Sequence, residues 1–301
     1  MNRIQSILMI AALLAAPLAL AQNATLQGIV TDQSGALVPE ATIRVTNLDT
    51  GVGLQTPSNE RGLYIVPFLP PGNYRIEASK AGFASSLVDR VKLDVQQTAR
   101  VDITLFVGMA AQAVEVSATA ALLESESTQM GQVIENKRIV EMPLNKRNYL
   151  ELARLTPGVL PAVGSAVGGD GGVIGMGQRA HQTNVLLDGV DNSSRTAGGE
   201  LGSVAQAGLP SVDAVGEFRV ITNNFSAEFG YRTGPKVVVS LKSGTNQLHG
   251  TLFEFLRNDQ FDASNFFANR SGAQKPTYRQ NQFGATAGGR IVRDRTFFFG
   301  S

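Results

Sequence analysis

The chain has 301 residues, and its 26 basic and 25 acidic residues leave a formal net charge of +1. This balance argues against a nucleic-acid-binding protein, which needs a basic surface. Cysteine is absent, so an exported form would depend on burial and sheet pairing rather than on disulfides. The length predicts two or three domains.

Residues 1–21 have the layout of a secretory signal peptide. Arg3 precedes an almost wholly apolar run, residues 7–20, and Ala19-Leu20-Ala21 supplies the small residues of a cleavage site. The run is short for a membrane span. We predict cleavage after Ala21; the alternative is an uncleaved N-terminal anchor.

Strand-like runs then recur at short spacing and predict a small antiparallel β-sandwich. Turn formers such as Pro70-Pro71-Gly72-Asn73 separate the runs. The alternation of apolar and polar residues is clean in residues 74–79 and 100–105, so each of these strands has one core face and one wet face. The predicted strands are residues 25–31, 41–46, 63–66, 74–79, 87–93 and 100–106.

Four motifs in this segment carry a family resemblance. They are Gly28-Ile29-Val30-Thr31-Asp32, Gly35-Ala36-Leu37-Val38-Pro39-Glu40-Ala41, Asn59-Glu60-Arg61-Gly62-Leu63-Tyr64 and Leu69-Pro70-Pro71-Gly72-Asn73-Tyr74. In this order they resemble the carboxypeptidase regulatory-like domain. The resemblance implies a transthyretin-like, seven-stranded sandwich, related to carbohydrate-binding-like folds, over residues 22–107. Such a domain either binds sugar or protein through an exposed face or serves as a rigid spacer, and the fold alone does not decide between them.

A short β-prone stretch, residues 112–119, lies in the predicted linker of residues 108–119. It is polar enough to be exposed and apolar enough to pair. An exposed strand of this kind can add itself to the sheet edge of another protein, where main-chain hydrogen bonds give affinity. An ordinary linker strand is an equally good interpretation.

Residues 135–142 and 147–155 carry apolar residues at helical spacing and predict two helices. Asn145 is the predicted cap of the second helix, and Pro157-Gly158 ends it. A glycine-rich loop follows at residues 161–177, but it lacks the lysine and the setting of a phosphate-binding loop. The inward-facing residues of the two helices are predicted to be Ile139, Met142, Leu150, Leu152 and Leu155.

The apolar Val185-Leu186-Leu187 ends in Asp188-Gly189, which predicts a tight turn. Asp188 and Asp191 are the alternative basis for a calcium site, but their spacing does not match a calcium loop, so a turn is favoured. Short strands are predicted at residues 219–222 and 237–241. With the helices, they predict a compact α/β unit.

An ordered set of motifs runs through this unit and beyond it. The set includes Met142-Pro143-Leu144-Asn145-Lys146-Arg147-Asn148-Tyr149, Leu186-Leu187-Asp188-Gly189-Val190-Asp191-Asn192, Thr222-Asn223-Asn224-Phe225-Ser226-Ala227-Glu228-Phe229-Gly230 and Lys242-Ser243-Gly244-Thr245-Asn246. It resembles the TonB-dependent receptors of the Oar-like group. The resemblance implies a mostly β chain with an α/β plug at residues 120–242 and a barrel from residue 243. One departure is Gly234-Pro235-Lys236, because proline cannot donate to a sheet ladder at the start of a plug strand.

The same resemblance implies a partner and a way of working. TonB would pull on the plug to drive uptake of a ligand, for which a carbohydrate or a peptide is the expected class. Val114, Glu115, Val116 and Ser117 are similar to a TonB box, the segment that pairs with the sheet edge of TonB. An upstream location, near residues 22–25, is the alternative.

Residues 243–301 predict the opening of an outer-membrane β-barrel. Strands are predicted at residues 248–256, 283–291 and 296–299, and Val292-Arg293-Asp294-Arg295 forms a charged turn. About eight strands are needed to close a bacterial barrel, so the chain is expected to be an N-terminal fragment with outer-membrane lipid as a contact of the full-length form. In the second strand Phe283, Ala285, Ala287 and Ile291 lie opposite Gln282, Thr286 and Arg290.

Three functional classes remain to be weighed. The first is an outer-membrane transporter with its sandwich and plug on the periplasmic side, and the second is an exported sandwich that binds carbohydrate or protein. An enzyme is poorly supported, because His181 and His249 are the only histidines and no cysteine is present. We therefore predict a non-catalytic protein without a cofactor or metal site.

Overall fold

The computed structural model describes residues 23–108, 114–117, 127–144, 147–161, 173–178, 182–193, 206–230 and 232–301. The predicted signal peptide lies outside the described residues. The chain divides into two compact units, one formed by Met1–Leu48 with Val52–Leu241 and the other by Asp49–Gly51 with Lys242–Ser301. The first unit contains a β-sandwich, residues 23–48 and 52–108, and a central region, residues 127–241.

The sandwich consists of a mixed sheet and an antiparallel sheet that face each other across one core. One sheet has the strand order β4-β1-β9-β6, and β8 pairs with β1 as well. The other sheet has the order β7-β5-β2-β3. The strands are β1 (Ala24–Asp32), β2 (Thr42–Asn47), β3 (Gly53–Pro57), β4 (Leu63–Leu69), β5 (Gly72–Ser79), β6 (Phe83–Ala84), β7 (Ser86–Leu93), β8 (Thr98–Arg100) and β9 (Ile103–Val107).

Alternating side chains build the sandwich core, as predicted. Tyr74, Ile76 and Ala78 of β5 are buried, while Arg75 and Glu77 between them are exposed. Each large apolar side chain buried in this way contributes roughly 1.5–3 kcal/mol. The other buried members of the cluster include Leu26, Ile43, Val45, Tyr64, Leu69, Val88, Val91, Leu93, Val101, Ile103 and Leu105.

The predicted last strand, residues 100–106, is interrupted, and this corrects the sequence prediction. Val101 N donates to Gln27 O at 2.8 Å, and Asp102 Oδ1 accepts from Ile29 N at 2.9 Å. Both halves, β8 and β9, pair with β1 in parallel, so the prediction of an antiparallel sandwich was wrong for these pairs. A Cβ on Gly28 would lie 1.9 Å from Val101 O, so glycine is required for this close approach. The sequence prediction also missed β3 and β6.

The central region is built on one mixed sheet with the order β11-β16-β17-β14-β15 and a small pair, β12 with β13. Its helices are α1 (Asn136–Glu141) and two 3-10 helices, Tyr149–Leu155 and Ala227–Phe229. The strands are β11 (Met130–Glu135), β12 (Val159–Pro161), β13 (Val173–Gly175), β14 (Asn184–Leu187), β15 (Val190–Asp191), β16 (Val215–Asn223) and β17 (Lys236–Leu241).

The two predicted helices are present but short. Ile139, Leu150 and Leu152 are buried as predicted, whereas Leu155 is 43% exposed, so the prediction that it faces inward was wrong. The 3-10 helix begins at Tyr149, and Asn148 caps it because its Oδ1 accepts from Leu150 N at 3.0 Å. The predicted cap, Asn145, lies outside the described residues.

The central sheet contains the predicted turn at Asp188-Gly189 and a strand that starts next to Pro235. Asp188 and Gly189 have φ values of 46° and 77°, which suit a two-residue hairpin between β14 and β15. Strand β17 begins at Lys236, directly after Pro235, so the proline lies outside the ladder. Its carbonyl still accepts from Asn184 N at 3.0 Å. The departure at residues 234–236 is therefore compatible with the plug strand.

The second unit contains an antiparallel sheet of the order β18-β19-β20. The strands are β18 (His249–Asn258), β19 (Arg279–Val292) and β20 (Thr296–Gly300), with α2 (Phe266–Ser271) and a 3-10 helix, Asp259–Phe261, between β18 and β19. The predicted alternation of β19 is confirmed around Thr286, which is buried while Phe283 is 78% exposed. It was wrong at Arg290, which is exposed like Ile291, because the register shifts between Arg290 and Val292. On β18, Leu252 and Leu256 are also exposed. Among the described residues, no helix has the length and apolar character to cross a membrane.

Candidate functional site

The residues predicted to contact TonB form a strand, β10 (Val114–Ser117). It pairs in parallel with β7 of the same chain, and the partners in register are Val114 with Ser86, Glu115 with Leu87, Val116 with Val88 and Ser117 with Asp89. The second sandwich sheet therefore has the full order β10-β7-β5-β2-β3. The segment has the β conformation that the sequence predicted, and its partner strand lies within its own sandwich.

A loop of the sandwich inserts into the central region. This docking loop, residues 94–97, connects β7 to β8 and carries Val95, which is fully buried. Val95 clusters with Ile221, Phe229 and Val238, all of which belong to the central region. The sandwich is thus held to the central sheet by an apolar contact that no sequence pattern indicated.

Polar contacts surround this apolar contact. Val95 N donates to Glu217 Oε1 at 2.5 Å, and an Arg219 guanidinium nitrogen lies 3.5 Å from Gln96 O, to which it donates. Lys92 of β7 donates to Glu135 of β11 and also lies 2.9 Å from Asp94 Oδ1. Glu217, Arg219 and Ile221 alternate along β16, so one face of this strand receives the docking loop.

The docking contact perturbs two carboxyl groups in opposite directions. Glu217 is 8% exposed, and burial, with a smaller contribution from Asp94, raises its pKa from 4.5 to about 7. The hydrogen bond from Lys92 lowers the pKa of Glu135. Burial acts to lower the pKa of Lys92, but its bonds to Glu135 and Asp94 raise that pKa overall. Glu217 is therefore the group of this contact whose charge changes closest to neutral pH.

A polar cleft of about 390 Å³ lies beside the docking loop. Phe68, Gln96 and Asn224 line it, and all three have positive φ, at 62°, 58° and 54°. Such backbone conformations cost energy in non-glycine residues and concentrate at functional sites. Phe68 is 55% exposed, so the cleft offers one aromatic side chain among amide and hydroxyl groups, which suits a polar ligand.

A buried lysine lies in the central sheet. Lys236 is fully buried, with its Nζ 4.6 Å from the centroid of the Phe225 ring and donating to Arg232 O. Burial lowers its pKa to about 8. The sequence had singled out Lys236 only as the neighbour of a proline.

The predicted turn at Asp188 has a structural role. Its Oδ1 accepts from Leu241 N at 2.9 Å, and burial raises the pKa of this carboxyl. In the described part of the chain, no group of three or more histidine, cysteine, aspartate or glutamate side chains is placed to hold a metal ion. His181 lies outside the described residues.

Comparison with known proteins gives a consistent result. The family described as "Carboxypeptidase regulatory-like domain" matches residues 25–106, and the family described as "Outer membrane beta barrel domain" matches residues 240–301. The TonB-dependent transporter Oar of Myxococcus xanthus is 28% identical over 303 residues, which cover 96% of this chain and 27% of that protein. The chain is homologous to this transporter over nearly its whole length. It is an outer-membrane protein of mostly β structure, and it spans about a quarter of the length of this curated relative.

Solved structures of outer-membrane receptors are also similar to parts of the chain. The siderophore receptor PirA from Acinetobacter baumannii has a TM-score of 0.40 and 21% identity, with 55% of this chain and 23% of that chain covered. The outer membrane transporter YddB from Escherichia coli has a TM-score of 0.41 and 15% identity, with 53% and 24% covered.

Proposed function

We propose that the chain forms the sandwich, the plug and the first barrel strands of a TonB-dependent outer-membrane transporter, and that it is not an enzyme. The central region, within residues 120–242, would be the plug, and the sandwich would lie on the periplasmic side. The exposed apolar face of β18 and β19 would contact lipid. The observation that carries this proposal is the homology to Oar, which runs through all three parts.

Within this function, Val114–Ser117 would be the segment that TonB holds. It has a β conformation and lies between the sandwich and the central region, so a pull on it reaches the central region through residues 118–129. The first element of the central region on this path is β11, which pairs with β16 and forms one end of the described sheet. An edge strand is the element of a sheet that can be detached by breaking one ladder alone, which makes β11 a suitable place for a pull to act.

The proposal can be tested by capture of the chain on the periplasmic part of TonB. Val116→Pro should reduce binding at least about tenfold, because proline removes a main-chain donor from a strand-addition contact. Glu115→Gln should bind almost as the wild type does, because it keeps every main-chain group. Equal binding by the wild type and Val116→Pro would move the contact elsewhere, for example to residues 22–25.

The transported ligand is proposed to be a carbohydrate or a peptide. A second function, binding of a polar ligand by the sandwich, is favoured by one observation, the cleft beside Phe68. Calorimetry with soluble oligosaccharides and with short polar peptides tests it, and Phe68→Ala should abolish any heat of binding that the wild type shows. Unchanged binding by Phe68→Ala would exclude the cleft as the site.

A further inference from the structure

Strand β7 would be a sheet edge if β10 were absent. Its other neighbour is β5, and β10 is the terminal strand of this sheet in the described part of the chain. Open edges carry unpaired N–H and C=O groups and readily bind other strands. The sandwich therefore has a strand-binding surface, the outer edge of residues Ser86–Asp89, and the occupant is residues 114–117 of the same chain.

The docking loop keeps this surface next to the segment that it binds. Val95 and Glu217 hold the sandwich to the central region, and residues 109–126 connect the two. If β10 leaves β7, these 18 residues can extend over at most roughly 60 Å. While β10 stays paired, its position is fixed on the sandwich. Docking and release thus change how far the segment can reach.

Docking on β7 also limits the number of main-chain groups that the segment can offer to a second partner. Successive residues of a strand direct their main-chain groups alternately to the two sides, so the four residues of β10 present only two to their open side. The β-prone stretch in the sequence is longer, residues 112–119. A partner that takes the whole stretch from solution gains a longer ladder than one that adds to the docked strand.

We propose that the sandwich shelters the TonB-contact segment, and that TonB binds it by strand exchange with β7. This inference rests on the proposed function of residues 114–117. In the resting protein the segment is the outer strand of the sandwich, and TonB must displace it. The apparent affinity for TonB is then reduced by the fraction of molecules in which the segment is free. The sandwich acts here as a competitor for TonB, a role distinct from binding sugar or spacing domains.

A reversible crosslink tests the docking in the full chain. Glu115 and Leu87 are partners in register on neighbouring strands, which lie about 4.8 Å apart. Because the chain has no cysteine, Leu87→Cys with Glu115→Cys introduces a single thiol pair that mild oxidation should bridge. Glu77 is the register partner of Leu87 on the next strand. Glu77→Cys with Glu115→Cys is the matched control, since its thiols are two strand spacings, about 10 Å, apart and should not bridge.

The bridged chain should bind the periplasmic part of TonB at least tenfold more weakly than the reduced chain, and reduction should restore binding. Two single substitutions give the opposite test without a crosslink. Leu87→Glu places a like charge opposite Glu115 and should increase TonB binding, whereas Leu87→Lys places an opposite charge there and should decrease it. Because unfolding of the sandwich would also free the segment, a gain of binding in Leu87→Glu supports the exchange only if thermal melting shows that the sandwich is still folded.

Each contrary result has a distinct meaning. If the thiols at 87 and 115 bridge no faster than those at 77 and 115, the segment is not docked on β7 and the inference is wrong. If the bridged and reduced chains bind TonB equally, TonB adds to the open side of β10 and exchange is wrong. If bridging occurs but the wild-type chain binds no TonB, the proposed TonB contact is wrong and the exchange with it.

Discussion

The contact between the sandwich and the central region should depend on Val95. All three of its buried cluster partners, Ile221, Phe229 and Val238, belong to the central region. Val95→Ala removes two methyl groups from a fully buried site. At about 0.8 kcal/mol per buried carbon, with an added cost for the cavity, this should weaken docking by about 2 kcal/mol, or roughly 30-fold.

Hydrogen exchange measured on residues 92–97 is the appropriate assay. Val95 N donates to Glu217, so this amide should be protected while the loop is docked and should exchange roughly 30-fold faster in Val95→Ala. Val91→Ala is the control, because Val91 is buried in the sandwich core and contributes to a different cluster. It should lower the free energy of unfolding of the sandwich and leave local opening of the loop unchanged. Equal protection of residues 92–97 in wild type and Val95→Ala would refute the docking contact.

Three further predictions concern other parts of the chain. Burial raises the pKa of Glu217 from 4.5 to about 7, so the contribution of Glu217 to docking should be greatest at and below pH 4.5 and be lost as the pH rises through about 7. The Lys92–Glu135 bond lowers the pKa of Glu135 and should weaken only below pH 4.5. Above pH 4.5, protection of the loop against hydrogen exchange should therefore follow Glu217 in the wild type and lose this pH dependence in Glu217→Gln. Gly28→Ala should destabilise the sandwich by at least about 2 kcal/mol in urea unfolding, because the new Cβ would meet backbone, whereas Gly108→Ala, whose Cβ would lie 3.7 Å from Ala84, should be nearly neutral. Mass spectrometry of the exported protein should find a mature start at Gln22, and an intact segment of residues 1–21 would contradict signal-peptide cleavage.

Much of the fold could be predicted from local patterns. Strand β5 alternates strictly between buried and exposed residues, so the sequence identified its core face. The parallel pairing of β1 with β8 and β9 could not be predicted, because the alternation of a strand determines which residues face the core but not the direction of the neighbouring strands. The break between β8 and β9 was missed for a related reason. Val101 remains buried in the break, so the pattern continues although the strand does not.

The candidate site was predictable only in part. The β tendency of residues 114–117 was visible, but their pairing with β7 joins segments that no local pattern connects. Val95 is a single valine in a polar loop, Asp94-Val95-Gln96-Gln97, and provides no periodic signal. Strand β16 carried the one available sign. Glu217 and Arg219 alternate with apolar residues, which ordinarily indicates a solvent-facing side, yet both are buried because the docking loop covers them.

The contacts of β16 bear on how a pull by TonB would reach the plug. The segment at residues 114–117 is tethered on both sides, to β9 of the sandwich and to β11 of the central region. A force on the connection toward the central region reaches β11, which pairs with β16 from Met130 to Glu135. A force on the connection toward the sandwich reaches the docking loop, which contacts Glu217 and Ile221, also on β16. Under the proposed function both tethers therefore load the same strand, so weakening the docking loop should leave β11 as the single path without removing the TonB contact itself.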